Sequence, residues 1–160
     1  LEIKSLDALK HEMSSMLTKF YDKHPHFKEI YEFFLNMIEQ SSTNLAELNS
    51  RCIIEISSMI IEKEVQYIKS SDLSIKSKST DRLIEILKIL DAKVYLSGMG
   101  SGGYLEPNKI LKHGIRTEFL SVIDCKYSQK NITNFVGGLS ILDALMNLGF
   151  IGTRKLLQSC

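Results

Sequence analysis

The stretch that decides the fold is "KVYLSGMGSGGYLEPNKILKHGIRTEFL", residues 93–120. An apolar run at 93–98 enters a turn that holds four glycines within six positions. "EPNKILKHG", 106–114, then places proline near a first helical turn and glycine at the end of the helix, and the apolar "IRTEFLSVI", 115–123, is typical of a strand. We therefore predict strand, glycine-rich turn, short helix and strand, with the two strands parallel and joined by a right-handed crossover.

The segments on either side extend this pattern. "VQYIKSS", 65–71, predicts one more strand, and "STDRLIEILKILDA", 79–92, predicts a helix capped by Ser79 or Thr80. Apolar residues at spacings of three and four predict further amphipathic helices over about 5–21, 27–40, 45–62 and 139–150, the last with Gly149 as its C-cap.

Together these elements predict an α/β fold: amphipathic N-terminal helices followed by a βαβαβ unit with a small parallel sheet and a C-terminal helix. A chain of 160 residues fits a single domain, 1–160, with a helical layer at 1–64 and an α/β part at 65–160.

Charge and cysteine content exclude several classes of protein. Twenty basic residues against nineteen acidic ones leave a net charge of +1, which predicts no nucleic-acid partner, and no apolar run is long enough to predict a membrane span. Cys52, Cys125 and Cys160 are odd in number and widely spaced, so neither a disulfide framework nor a zinc site is indicated. No histidine has a metal-ligand spacing partner, and we expect no metal site and a cytoplasmic location.

The glycine-rich turn permits more than one interpretation. Gly98, Gly100 and Gly103 spell G-x-G-x-x-G, and Asp124 lies about 20 residues further on, as in dinucleotide-binding folds. The short helix begins too late for that motif, which disfavours a dinucleotide. Two interpretations stay open: backbone amides that line an anion, with Ser97 and Ser101 as hydroxyl donors, or a flexible connection.

Ligands of open parallel sheets bind beyond the carboxyl ends of the strands, so we expect the polar loops there to share one pocket. "SSDLSIKSKST" at 70–80 suits a phosphate or carboxylate, or else forms a solvated loop with a helix cap. The candidate substrate-binding residues of this pocket are Ser70, Ser71, Thr80, Arg82, Ser97, Gly98, Gly100, Ser101, Gly102, Gly103, Tyr104 and Tyr127. Asp124 is the candidate catalytic base, whereas Cys125 has no histidine nearby in sequence to activate it.

Several blocks in one order resemble the WbqC-like protein family over roughly residues 10–150. They are the serine pair at 70 and 71, "TDRLIEI" at 80–86, "YLSG" at 95–98 with its glycine-rich turn and "YL", "YSQ" at 127–129 and "LSILDAL" at 139–145. The resemblance implies a transferase of bacterial surface-polysaccharide (O-antigen type) biosynthesis, which attaches an acyl or aminoacyl group such as glycine to an amino sugar. It implies a nucleotide-linked or lipid-linked sugar as the small-molecule substrate.

The competing hypothesis is a non-catalytic sugar- or nucleotide-binding or scaffolding domain of a glycan-synthesis complex. Members of the family usually begin with a strand and a proline-rich aromatic segment, so we expect this chain to be the C-terminal portion of a longer protein. The sequence assigns neither a cofactor nor an oligomeric state.

Overall fold

The computed structural model describes residues 1–103, 105–121, 125–130 and 132–160. The chain forms two compact units, one made of Leu1–Val65 with Asp124–Cys160 and the other of Gln66–Ile123. The helices are α1 (Leu6–Tyr21), α2 (Phe27–Glu39), α3 (Leu45–Ile60), α4 (Ser79–Ile89), α5 (Pro107–Leu111) and α6 (Ile141–Ser159), and the strands are β1 (Val94–Gly98) and β2 (Arg116–Leu120). The single domain over 1–160 stays a prediction.

In the first unit, polar side chains fix where the helices begin. The Ser5 hydroxyl accepts a hydrogen bond from the Ala8 N–H at 3.1 Å, and the Asn44 side chain accepts from two amides of the first turn of α3. Each such cap satisfies N–H groups that have no partner inside the helix. The apolar stripes of the helices then meet in one core, formed by Leu17, Ile30, Ile60, Leu145, Met146 and Phe150.

Gly149 interrupts α6. Its φ of 67° and ψ of −179° are not helical, and only glycine adopts such a conformation without strain. We predicted that the helix ends at Gly149. It is instead interrupted there, and a second helical segment continues to Ser159. Phe150 and Thr153 are buried on this second segment, which packs into the same unit.

The second unit contains the strands. β1 and β2 pair in parallel, from Val94 opposite Arg116 to Gly98 opposite Leu120, with α5 between them in sequence. The apolar face of α4 packs with residues of the crossover in a second core, formed by Ile84, Leu87, Leu105, Ile110 and Ile115. The α/β class with a small parallel sheet and a C-terminal helix is confirmed.

One predicted strand does not form. Residues 61–72 are exposed, and the sheet of the described chain contains β1 and β2 alone. The Asp72 N–H donates to the Lys69 carbonyl at 3.0 Å, which closes a turn where the strand was predicted to end. The strand prediction over 65–71 is wrong because these residues lie outside the β1–β2 sheet of the described chain, and extended residues form a strand only in a hydrogen-bonded ladder.

The sequence indicated no disulfide, and this prediction is wrong for Cys125 and Cys160. Cys125 and Cys160 form a disulfide with their Cα atoms 5.9 Å apart, whereas Cys52 is free and partly buried. The disulfide ties the segment before Tyr127 to the C-terminal end of α6. Thirty-five residues separate the two cysteines in sequence, so their spacing carried no signal of the pairing.

No helix in the described part of the chain is both long and apolar enough to cross a membrane.

Candidate functional site

The glycine-rich turn lies where it was predicted, at the carboxyl end of β1. Gly98 is the last residue of the strand, and Met99–Gly103 form a 3₁₀ helix directly after it. The Leu105 N–H donates to the Ser101 carbonyl at 3.0 Å and holds the exit from this turn. The turn is therefore a defined structure.

Two serines of the turn bind each other. Ser97 and Ser101 are buried, and their hydroxyl oxygens lie 2.7 Å apart. Ser101 Oγ donates to the Gly98 carbonyl at 2.8 Å, so its single proton is used there and the Ser97 hydroxyl is the donor between the two serines. Both hydroxyl protons are therefore engaged within the turn, whereas we predicted them as donors to an anion.

The four glycines of the turn present an open backbone. Gly98, Gly100, Gly102 and Gly103 are exposed, and a Cβ added to any of them would meet no other atom within 4 Å. None of them has a positive φ. Neither crowding nor backbone conformation in the folded protein demands glycine at these four positions, and a ligand could approach their main chain closely.

Arg82 organises the loop at 70–78. Its guanidinium donates to the carbonyls of Ser70 and Ile75 at 3.3 and 3.4 Å and reaches the Ser70 hydroxyl at 3.5 Å. Ser71 binds its neighbour Asp72 at the surface instead. The structure thus brings Ser70 and Arg82 together, as the shared-pocket hypothesis requires, but part of the Arg82 fork is used to hold the loop.

Thr80 connects α4 to the residue before α5. Its side chain is 2% exposed, and its hydroxyl oxygen accepts a hydrogen bond from the Glu106 N–H at 3.4 Å. The predicted cap is wrong, since α4 begins after Lys78 without a side-chain capping bond. Thr80 therefore supports the packing of this unit.

Tyr127 belongs to the other unit, where it meets a buried carboxylate. Its hydroxyl donates to Asp143 Oδ2 at 2.6 Å, and Gln129 Nε2 donates to the same oxygen at 3.1 Å. Asn147 Nδ2 lies 3.3 Å from that oxygen and donates to the Asp143 carbonyl at 2.8 Å. Asp143 is only 5% exposed, and these donors supply the hydrogen bonds that a buried carboxylate needs.

The network around Asp143 also fixes the segment that precedes α6. Gln129 exchanges two hydrogen bonds with the main chain of Val136, and the Lys130 N–H donates to Asn147 Oδ1 at 2.8 Å. "YSQ" and "LSILDAL" are two of the blocks that resemble a known family, and they meet at this carboxylate.

Burial and the neighbouring Asp143 carboxylate favour the protonated form of two tyrosines, Tyr127 and Tyr21. Burial, the hydrogen bond to Asp143 and its charge raise the pKa of Tyr127 to about 12, against an opposing hydrogen bond from Gln129. Burial, followed by the charge and a hydrogen bond of Asp143, also raises the pKa of Tyr21. Tyr127 is therefore a hydrogen-bond donor here and is not suited to act as a base near neutral pH.

Asp124 and Tyr104 lie outside the described residues, so their predicted roles are untested. Two cavities of the second unit, of about 480 and 360 Å³, lie beside α5, and no glycine of the turn lines either of them. Among the described residues, no group of three or more His, Cys, Asp or Glu side chains could hold a metal ion.

Sequence reasoning missed Asp143, Gln129 and Asn147. A signal was present for the first, because Asp143 stands between Leu142 and Ala144 on a helix whose other faces are apolar. An acid at such a position must be buried with partners or turned to solvent. Gln129 and Asn147 had no comparable signal in the sequence, because their hydrogen-bond partners become neighbours only in the folded protein.

The comparisons with known proteins gave one match. The model of the WbqC-like protein family matches residues 1–155, nearly the whole chain. Neither the curated proteins nor the solved structures contain a match.

Proposed function

Because the chain belongs to the WbqC-like protein family, we propose that it is a transferase of bacterial surface-polysaccharide biosynthesis. Membership is consistent with a role in polysaccharide-related biosynthesis. The proposed reaction attaches an acyl or aminoacyl group, such as glycine, to the amine of an amino sugar that is linked to a nucleotide or a lipid.

The observation that carries the proposal, beside the family, is the open backbone of Gly98, Gly100, Gly102 and Gly103. An exposed main chain at the carboxyl end of a parallel strand is where phosphate or a developing oxyanion can be bound by amides. Folded-state packing does not explain the four glycines, whereas approach of a substrate would.

The other candidate residues have different roles in this proposal. Ser70 and Arg82, already in contact, bind an anionic group of the substrate, and Ser71 and Tyr104 contribute further polar contacts. Ser97, Ser101 and Thr80 shape the turn and its neighbourhood. The roles of Asp124 as a base and of Tyr127 as a substrate-binding residue stay predictions of the sequence.

The test is a transfer assay with purified protein, nucleotide-linked amino sugars as acceptors, and acyl thioesters or aminoacyl esters as donors. Mass spectrometry of the sugar then detects the added group. Gly100→Val should reduce transfer at least tenfold while leaving the circular dichroism spectrum unchanged, because its side chain would fill the open backbone without touching the fold. Met99→Val is the matched control, since Met99 already carries an exposed side chain in the same turn.

A second candidate function is binding without chemistry, and the engaged hydroxyls of Ser97 and Ser101 favour it. Calorimetric titration with the same nucleotide sugars separates the two. Binding that Gly100→Val abolishes, with no product from any donor, would replace the transferase proposal with a binding domain, and unchanged binding in Gly100→Val would remove the turn from the site.

We also propose a cytoplasmic location. The cysteine content supports it, and the Cys125–Cys160 disulfide is the feature that opposes it, since disulfides are rare in reducing compartments. Fractionation of cells that express the tagged chain tests the proposal. Recovery with cytoplasmic marker proteins is expected, and recovery in another compartment would contradict it.

A further inference from the structure

The first unit contains a cavity of about 580 Å³ that the candidate site above does not use. The residues before α2, one face of α2, the end of α3 and the break in α6 all contribute to its wall. It is an open depression, because the polar residues of its wall on α2 are exposed to solvent.

One face of α2 supplies both polar and apolar groups to the cavity. Glu29, Glu32, Phe33 and Asn36 recur at spacings of three and four, which places them side by side on the helix. Within the part of the chain that the structure describes, the Glu32 carboxylate forms no ion pair and the Asn36 side chain forms no hydrogen bond. Both groups are free to bind a ligand.

The apolar part of the wall is largely aromatic. Phe33 and Phe150 contact each other edge to face, with ring centroids 5.0 Å apart, and Met59 lies beside them. Aromatic rings offer a flat apolar surface to a ring-shaped ligand, and their faces attract cations.

His26 is held at the edge of the cavity by three contacts. Its backbone N–H donates to the Met146 carbonyl at 3.2 Å, and its side-chain Nδ1 lies 3.4 Å from Glu29 Oε2. The imidazole also occupies the space beside Gly149, where a Cβ would come within 2.6 Å of Nδ1. The break in α6 thus makes room for the histidine that lines the cavity.

The charges of the wall favour a cation. Lys28 contributes one positive charge against Glu29 and Glu32, so the wall is negative by one unit when His26 is neutral. Glu29 is partly used by His26, whereas no cation among the described residues pairs with Glu32. A carboxylate beside aromatic rings is chemically suited to an ammonium group.

We propose that this cavity binds a primary amine carried on a ring with an apolar face. Glu32 is the counter-ion of the ammonium group, Phe33 and Phe150 contact the ring, and Asn36 and His26 bind its polar substituents. An amino sugar is one amine of this kind, and its choice as the ligand alone rests on the proposed function.

The test is calorimetric or NMR titration of the full chain with glucosamine and with cyclohexylamine, and N-acetylglucosamine serves as the uncharged counterpart. We expect glucosamine to bind at least fivefold more tightly than its acetylated form, and Glu32→Gln to remove that preference. Glu39→Gln is the matched control, since Glu39 lies on the same helix but pairs with Lys10 outside the cavity.

The outcomes separate the two proposals. An amine preference that survives Glu32→Gln, or no binding of either amine to the folded wild type, would overturn the cavity assignment. Glu32-dependent binding of cyclohexylamine without binding of glucosamine would support the amine site and remove the amino sugar as its ligand. Glu32-dependent binding of glucosamine by a protein that transfers no acyl group would support the site while the transferase proposal fails.

Discussion

The glycines of the turn at 98–103 and the glycine at 149 in α6 illustrate opposite uses of the same residue. The turn concentrates four glycines, yet each has an ordinary φ and open space around it. Gly149 is one of two glycines in α6, yet it has a φ of 67° and a histidine ring in the place of its side chain. The density of glycine in a sequence therefore does not measure the conformational demand for glycine in the fold.

The turn and α6 also differ in how far along the chain their polar groups find hydrogen-bond partners. Ser97 and Ser101 satisfy each other and a carbonyl within four residues of chain, whereas Asp143 collects donors from 14 and 16 residues away in addition to one from its own helix. Loss of a partner should cost more in the second region, because several buried donors depend on one carboxylate.

The largest expected effect is that of Asp143→Ala. It leaves Tyr127, Gln129 and Asn147 without their shared acceptor, and we expect a loss of about 4 kcal/mol in the free energy of unfolding. Urea denaturation measures it, with Asp81→Ala at an exposed ion pair as the control. A change of less than about 1 kcal/mol would show that the network contributes little to stability.

Gly149→Ala comes next. Alanine must adopt a strained backbone φ here, and its Cβ must displace the His26 ring. We therefore expect the free energy of unfolding to fall by about 3 kcal/mol. Gly100→Ala, which meets no atom, should change stability by less than about 0.5 kcal/mol. Equal effects of the two substitutions in urea denaturation would remove the contrast between the regions.

Ser101→Ala should have a smaller effect, a loss of about 1 kcal/mol. The Ser97 hydroxyl loses its acceptor and the Gly98 carbonyl loses its donor, but only these two neutral groups are affected, whereas Asp143→Ala removes the acceptor of three donors. Thermal unfolding of Ser101→Ala and Ser101→Cys, compared with the wild type, measures the loss. A loss as large as that of Asp143→Ala would contradict the local nature of this network.

The smallest effect at neutral pH concerns the Tyr127 phenol, whose contribution changes only at alkaline pH. The pKa of Tyr127 is raised from 10.0 to about 12 in the folded protein, so the folded state retains a proton that the unfolded state releases. The resulting stabilisation is complete below pH 10 and is lost as pH rises towards 12. Unfolding of Tyr127→Phe should therefore depend less steeply on pH between 10 and 12 than unfolding of the wild type, and parallel curves would contradict the assignment.

Much of the fold could be predicted because its signals are local. Capping, periodicity and backbone chemistry within a few residues predict the helix starts near Ser5 and Asn44 and the position of the turn after β1. They also predict that the helix is interrupted at Gly149, but not that it resumes and runs to Ser159. The strand over 65–71 failed because an apolar segment becomes a strand only when it meets a partner edge, which no local pattern reports.

The candidate site was less predictable. Ser70 and Arg82 do meet, but Tyr127 binds Asp143 in the other unit, and the serines of the turn bind each other. The sequence showed which groups can hydrogen-bond; it did not show which of them would already be engaged inside the protein.

By itself the sequence determined the α/β class, most of the element order and the glycine-rich turn at the end of β1, because each depends on interactions between residues close in the chain. Only the tertiary structure decided that Asp143 gathers Tyr127, Gln129 and Asn147, that Cys125 pairs with Cys160, and that His26 fills the space beside Gly149. These contacts join distant segments, and they form only because burial of the apolar helix faces brings those segments together.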